Sequence, residues 1–365
     1  MSAGAPGDGI RVRTPVPDRA WHDMLAEAGQ DALPSQTPAW RSAVCAHGWR
    51  DATRLYTWPD GTRLLVPLVR PARQLSADRM AADRRSADRV AAEYASWPVG
   101  WGVGGVLGAP AAVTPDRARA VLRDLASLPA DRVYLRPHPA STALWDALVP
   151  PGTRRNPRLT QILDLDGGFD HVWHHRFRGT LRSAVRRAER AGLTVEQDGS
   201  GRLLQEFDRL FELSLDRWDR QSDEPAGEVR RRVRAKNPLT KFTAVADRLG
   251  AQCRVWLARH GGQPAAAVVA LYQGPYVVYW QGAMDKARSA PTYAAPYLLH
   301  LVIKDACARG ARAFHMGDTY PGTSVTRFKT AFGPDEYHTA GYWIPGTGSG
   351  RRVPVQDERE DMRTS

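Results

Sequence analysis

Three strand-like segments in close order constrain this chain most: Cys253–Arg259, Ala265–Tyr272 and Tyr276–Gly282. Gly261-Gly262-Gln263-Pro264 and Gln273-Gly274-Pro275 separate them. Apolar runs of strand length punctuated by Gly/Pro turns predict an antiparallel meander. Helical patterns surround it. Residues 202–221 place Leu203, Phe207, Leu210, Phe211, Leu213, Leu215 and Trp218 in an amphipathic pattern. Further helices are expected over Leu239–Leu249 and Pro296–Arg309, the latter stopped by Gly310. Ahead of these lie a strand at Leu159–Leu165, one or two helices within Phe169–Ala191 and a strand at Leu193–Glu196. Beyond them come a strand at Ala313–Met316, a loop over Gly317–Ser324, a short helix around Thr326–Thr330 and a strand at Tyr342–Ile344. The fold class is therefore α+β: a mixed, mostly antiparallel sheet flanked by helices.

The first half reads as a related but reduced unit, as a tandem duplication would leave. A helix starts at Asp18, and Thr37-Pro38 reads as an N-cap with proline at the first helical position, the helix stopping at Gly48. Thr53–Trp58 and Arg63–Val69, joined through Pro59-Asp60-Gly61, predict a hairpin. Residues 72–92 are a low-complexity Ala/Arg/Asp stretch expected to be exposed. Trp97–Gly108 is glycine-rich enough to let a neighbouring segment or a ligand approach its backbone. A helix over Pro115–Ser127, a strand over Arg132–Arg136 and a short helix over Ala140–Leu148 follow, and Pro150-Pro151-Gly152 marks a domain boundary. The expected layout is a flexible leader at 1–17, domains at 18–150 and 151–345, and a disordered tail at 346–365. A chain of 365 residues accommodates two such cores.

Fifty-one basic residues against 39 acidic ones give a formal charge of +12, which suits a polyanionic partner. Only five of the basic residues are lysine, so arginine-heavy coding accounts for the total equally well. Clustering is the sharper signal. Arg182, Arg186 and Arg190 recur every fourth residue on one helix face beside Arg187, and Arg230, Arg231 and Arg232 form a second cluster. Guanidinium ribbons match a nucleic-acid backbone, and each cluster taken alone also reads as a solvated face. Cys45, Cys253 and Cys307 are scattered and fit a reducing compartment. His174-His175 and the absence of any recurring Cys/His/carboxylate spacing give no metal site. No apolar run reaches bilayer length and no signal-peptide pattern opens the chain, so a cytoplasmic location is expected.

Four segments of the second half, taken in order, carry a family resemblance. They are Thr180–Val195, the strand pair Gln263–Ala283, Ala306–Asp318 with its Phe-His-Met-Gly, and Arg327-Phe-Lys-Thr-Ala-Phe-Gly333. Together they resemble the Fem-like branch of the GNAT N-acyltransferase superfamily over roughly 160–345, and Ser35–Trp40 is similar to the start of that family's first domain. The resemblance implies two tandem GNAT-like domains and transfer of an amino acid from its tRNA ester to an amine, with no tightly bound cofactor. The acceptor would be a cell-wall precursor or a small metabolite. Phe-His-Met-Gly in place of Phe-Asp-Leu-Gly, and no coiled-coil arm, tilt the acceptor toward a metabolite. Relatives outside the branch use acyl-CoA, which remains the alternative donor, and a non-catalytic RNA-binding protein is a third reading.

Aminolysis of an ester needs an electrophilic donor at the developing oxyanion and a route for the proton. The resemblance assigns the first role to Lys329, with Phe328 beside it. Asp318 is the best acidic candidate, with a helix N-cap or turn residue as its structural alternative, and Tyr320 is a candidate for positioning a proton or substrate. Tyr279 and Trp280 stand at a strand exit where the fold places its acyl-donor cleft. The Asp285–Pro296 segment, where CoA users carry a Gly-rich diphosphate turn, has no glycine and two prolines. That composition argues against CoA.

Overall fold

The computed structural model describes residues 9–29, 32–72 and 93–348. The low-complexity stretch from residue 73 to 92, the first eight residues and the tail from 349 onward lie outside the described residues. The chain divides into two compact units. One comprises the described residues up to Pro157 together with Thr339 onward, and the other runs from Arg158 to His338.

The first unit begins with β1 (Arg11–Arg13), α1 (Asp18–Ala28) and α2 (Pro38–Cys45). Thr37 caps α2 through its Oγ1, which accepts from the Trp40 N–H, and Pro38 follows at the first helical position. Strands β2 (Trp49–Asp51), β3 (Arg54–Thr57), β4 (Arg63–Val66), β5 (Val69–Pro71) and β6 (Glu93–Ala95) precede α3 (Pro115–Ala126), β7 (Arg132–Leu135) and α4 (Thr142–Asp146). β1, β3 and β4 form one antiparallel sheet, and β2, β5, β6 and β7 belong to a second in which β6 and β7 run parallel. The leader expected at 1–17 is corrected here: Arg11–Arg13 pair with β3, because Ile10 is buried in the same core as Tyr56 and Leu64. Trp97–Gly108 packs on Ser35–Trp40. Trp97 Nε1 donates to the Ser35 carbonyl, Ser35 Oγ to that of Val103, Gln36 Nε2 to that of Gly104 and Trp40 Nε1 to that of Trp101. The neighbour served by those glycines is therefore the chain itself.

The division between units falls inside β8 (Arg154–Asp164), which continues past the expected break at Pro150-Pro151-Gly152. The second unit continues with α5 (Gly168–His171), a π-helical turn at Val172–Arg176, α6 (Gly179–Glu189) and β9 (Leu193–Asp198). Helices α7 (Leu204–Gln221), α8 (Glu228–Lys236) and α9 (Leu239–Leu249) follow, then β10 (Cys253–His260), β11 (Gln263–Gln273) and β12 (Tyr276–Met284). The basic stretch at 228–237 is thus itself helical. After it come α10 (Lys286–Thr292), α11 (Ala294–Ala308), β13 (Ala313–Thr319), α12 (Ser324–Thr330) and β14 (Asp335–Pro345). Strand order is β9-β10-β11-β12-β13-β8, with β12 and β13 parallel and the other neighbours antiparallel. The expected end of the second domain at 345 is corrected. Tyr342–Pro345 pair with β7, and Ala340, Tyr342 and Ile344 are buried in the first unit's core.

Alternation in the central strands explains why the meander is buried on both faces. Trp256, Ala258, Ala266, Val268 and Ala270 share a core with Leu181 and Val185 of α6 and with Leu298, Val302 and Ile303 of α11. The intervening Val255, Leu257, Ala267 and Val269 are equally buried, on the face where α7 and α9 pack.

Candidate active site

β12 and β13 hold together over only three register positions, Tyr276↔Ala313, Val277↔Phe314 and Val278↔His315, and then part. Each strand has an irregularity at that level. Trp280 is the extra residue where the β11–β12 register shifts, and Met316-Gly317 oppose a single residue of β8 where the β13–β8 register shifts. Gly317 lies at φ +77, a conformation that side chains rarely adopt, and a Cβ there would sit 3.6 Å from Lys329 Nζ and 3.6 Å from the Tyr279 carbonyl. The carboxyl ends of two parting parallel strands open the main chain to a ligand.

Lys329 comes to this notch from α12. Its Nζ donates to the Asp318 carbonyl at 3.0 Å and lies 5.9 Å from the centre of the Tyr279 ring. The side chain is 5% exposed, and burial pushes its amine down to about 8 against the opposing pull of the Asp318 carboxylate. The surrounding motif explains the placement. Phe332 is fully buried and meets Phe177 edge-on at 5.3 Å, while Phe328 is half-buried and packs on Phe332 at 5.5 Å. The α12 N-cap is Thr323, whose Oγ1 accepts from the Thr326 N–H.

Of the expected residues, Lys329, Tyr279 and Asp318 are brought together at the notch, whereas the Trp280 ring packs on Phe242 at 5.0 Å and lies 5.9 Å from Lys241 Nζ. Asp318 sits within β13, and Lys329 uses its main-chain carbonyl. Its carboxylate accepts from Thr160 Oγ1 at 2.9 Å and lies 4.0 Å from Arg158 Nε, in a buried cluster. Burial raises the Tyr279 phenol to about 12, so it stays neutral near physiological pH. Tyr320 contributes its carbonyl, which accepts from Thr323 and Thr326 and fixes the entry to α12.

The basic clusters separate from one another. In α6, Arg186 and Arg190 are exposed with no ion pair among the described residues, and Arg187 donates to Tyr293 Oη at 3.1 Å. Arg182 instead donates Nη1 to the carbonyls of Trp173, His174 and Phe177 and closes the π-helical turn. In α8 every expected guanidinium has a carboxylate: Arg230 with Glu212 and Asp216, Arg231 with Glu228, Arg232 with Glu224. Glu212 and Asp216 come from α7, Glu224 from the segment after it and Glu228 from α8 itself, so Arg230, Arg231 and Arg232 are ion-paired and do not form a free ribbon.

A second buried lysine escaped notice in the sequence. Lys241, 1% exposed, donates to the Lys236 carbonyl at 3.2 Å and to Asn237 Oδ1 at 3.0 Å, and lies 5.9 Å from the Trp280 ring. Burial pushes it down to about 7. With so few lysines in a basic chain, one within an apolar helical run (Leu239-Thr-Lys-Phe242) was the available signal. Both lysines titrate below their unfolded value of 10.5, so the unfolded chain binds more protons between the two values. Their contribution to stability is present above 10.5 and lost as pH falls toward 7. The buried thiols of Cys253, at about 12, and Cys307, at about 11, act oppositely above 9. The thermal midpoint is therefore expected to rise from pH 7 to about 9, by up to about 3 kcal/mol in stability, to level off while the two thiols offset the two lysines, and to fall above about 10.5. Lys241→Met should flatten the rise. A midpoint that declines steadily from pH 7 would contradict these burials.

The Asp285–Pro296 segment, where CoA users carry a Gly-rich diphosphate turn, is mostly helical. Asp285 caps α10, and Tyr293 turns into α11 with φ +54. The Ala295 N–H bonds Ser289 Oγ at 3.1 Å, Pro296 has none, and that of Tyr297 bonds the Tyr293 carbonyl. Three successive positions at this helix start offer nothing to a diphosphate. Among the described residues no group of three or more metal-ligating side chains occurs, and no helix is long and apolar enough to cross a membrane.

Residues 175–330 match the acetyltransferase (GNAT) domain. Over 92% of this chain and 97% of the other, the fold superposes on the crystal structure of FemX with a TM-score of 0.63 at 12% identity. A conserved protein of unknown function from Bacteroides thetaiotaomicron VPI-5482 aligns over 90% of this chain and 97% of its own, with a TM-score of 0.53 at 9% identity. No curated protein matches.

Proposed function

We propose that this chain, whose residues 175–330 match the acetyltransferase (GNAT) domain and whose fold superposes on that of FemX, is an acyltransferase that moves an aminoacyl group from the ester of an aminoacyl-tRNA to an amine, forming an amide. The observation that carries this reading is the Lys329 ammonium, held by the Asp318 carbonyl at the parting of β12 and β13. In this scheme the amine nitrogen attacks the ester carbonyl and the carbonyl oxygen becomes an oxyanion beside Lys329 Nζ. The C–O bond then breaks, and the amine's proton passes to the departing ribose hydroxyl. Holding ester and amine together in the notch supplies much of the acceleration, since proximity alone is worth roughly 7–11 kcal/mol in the best cases.

Two features support a tRNA donor. Residues 295–297 at the start of α11 present no free N–H to a CoA diphosphate, and α6 with its cap presents Arg186, Arg187 and Arg190 for a phosphate backbone. A small metabolite or peptide-like amine is the acceptor, and a tRNA donor implies work in the cytoplasm. The test incubates the protein with tRNAs charged with labelled amino acids, and separately with acyl-CoA thioesters, in the presence of an amine panel. Label is expected in an amide product from charged tRNA. Transfer from CoA alone would replace the donor, and a tRNA gel shift without transfer would make the protein a binder.

A further inference from the structure

Two hydrogen bonds hold the main chain of Gly317 and Asp318 from opposite ends. The Gly317 N–H donates to Nδ1 of His315 at 2.9 Å, and the Asp318 carbonyl accepts from Lys329 Nζ at 3.0 Å. His315, buried at 4% exposure, is the last residue of β13 in register with β12, opposite Val278. It is also the last before the β13–β8 register shifts, and beyond it Met316 and Gly317 oppose a single residue of β8. A bulge takes its extra residue out of the ladder, so the buried N–H there needs another acceptor. The imidazole two residues earlier supplies it.

That bond settles more than one donor. Glycine visits both signs of φ at little cost, so Gly317 by itself does not select φ +77. In the conformation the His315 bond fixes, a Cβ on Gly317 would stand 3.6 Å from Lys329 Nζ and 3.6 Å from the Tyr279 carbonyl. The next carbonyl, that of Asp318, then points at the ammonium. Turning Gly317 to another conformation carries that carbonyl away and costs a buried charge its acceptor. Nδ1 can accept only on an imidazole whose proton sits on Nε2, which makes the device specific to one tautomer.

We propose that His315 is a positioning residue: its Nδ1 sets the Gly317–Asp318 main chain, and through it the place of the Lys329 ammonium. It touches no reacting atom. The consequence for catalysis rests on the amide-forming reading, whereas the consequence for Lys329 itself does not.

Two amide side chains separate the ring nitrogens. Asn carries its oxygen at the same distance along the side chain as Nδ1, and such an oxygen accepts readily from the N–H two residues on. Gln carries its oxygen one bond further, where Nε2 lies. Wild type, His315→Asn and His315→Gln are labelled competitively with trace acetic anhydride, and each lysine is followed by mass spectrometry. Exposed Lys286 sets the scale, and buried Lys241 reports general loosening. Labelling of Lys329 relative to Lys286 is expected to change at least about 3-fold in His315→Gln and to stay near wild type in His315→Asn, with Lys241 unchanged in both. Transfer assays should show kcat lowered roughly 10- to 100-fold in His315→Gln, with KM nearly constant, and largely restored in His315→Asn. Lys329 labelling equal in wild type and His315→Gln, equal change in both variants, or a parallel change at Lys241 overturns the proposal. A labelling change confined to Lys329 in a protein that transfers nothing from charged tRNA leaves His315 in this role and removes the donor reading. Transfer from charged tRNA with kcat unaffected in His315→Gln does the reverse.

Discussion

Lys329→Met is expected to lower kcat for amide formation by roughly 10²–10³-fold, the usual effect of removing one oxyanion donor. The side chain is buried and its Nζ has a fixed partner in the Asp318 carbonyl, so the ammonium stands at the parting of the strands before any substrate arrives. KM for either substrate should move far less than kcat, because the interaction strengthens only as charge develops on the carbonyl oxygen. The fold should survive, since exchanging a buried cation for an apolar side chain of similar length is often neutral. The pH profile adds an independent readout. With its amine near 8, Lys329 loses its proton as pH rises, so wild-type kcat should fall on the alkaline side. In Lys329→Arg any residual activity should lack that alkaline limb, because guanidinium stays charged. Turnover of Lys329→Met within a few-fold of wild type would remove this residue from the chemistry.

Gly333→Ala should cost about 3 kcal/mol or more, although the residue touches no reacting atom. Gly333 lies at φ +73, and a Cβ would meet the Arg176 carbonyl oxygen at 2.1 Å. Both partners are main chain, so nothing flexible can yield. Next to this contact the Arg178 N–H bonds the Ala331 carbonyl, so the end of α12 is fixed against the turn that leads into α6. For a unit of this size the thermal midpoint should drop by roughly 6–12 °C. Gly322→Ala is the comparison: its φ is +83 but its Cβ would meet open space, so only about 1 kcal/mol is expected. Equal midpoints for the two variants would show that the close approach does not matter.

The elements that local chemistry specifies were legible in the sequence. Gly/Pro turns delimited β10, β11 and β12, Thr37-Pro38 announced α2, and Gly310 followed the end of α11. The Arg-Phe-Lys-Thr-Ala-Phe-Gly motif located α12. Its physical content emerged only in three dimensions: one residue for the notch, one for the core and one for a main-chain crossing. What stayed hidden depends on partners far apart in the chain. Arg230, Arg231 and Arg232 looked like a free basic run because three of their carboxylates, Glu212, Asp216 and Glu224, sit earlier in the chain. Arg182 looked like the first of a surface ribbon, yet it caps carbonyls of the preceding turn. Lys241 gave no periodic signal, and the Asp318, Thr160 and Arg158 cluster joins strands about 160 residues apart. The closing strand starts at Asp335, well ahead of the expected Tyr342–Ile344, and only Tyr342–Pro345 pair with β7, some 200 residues upstream.

The two irregularities that part β12 from β13 are features of the main chain. An opening made this way persists through most side-chain replacements around it, much as a socket keeps its shape when the fittings are changed. Variation on the α6 face and variation on the α7 face can then proceed without disturbing each other. A laboratory lineage selected for a new amine should change side chains around the notch while Lys329, Gly317 and Gly333 stay as they are. Such a chain can be retooled for one substrate at a time.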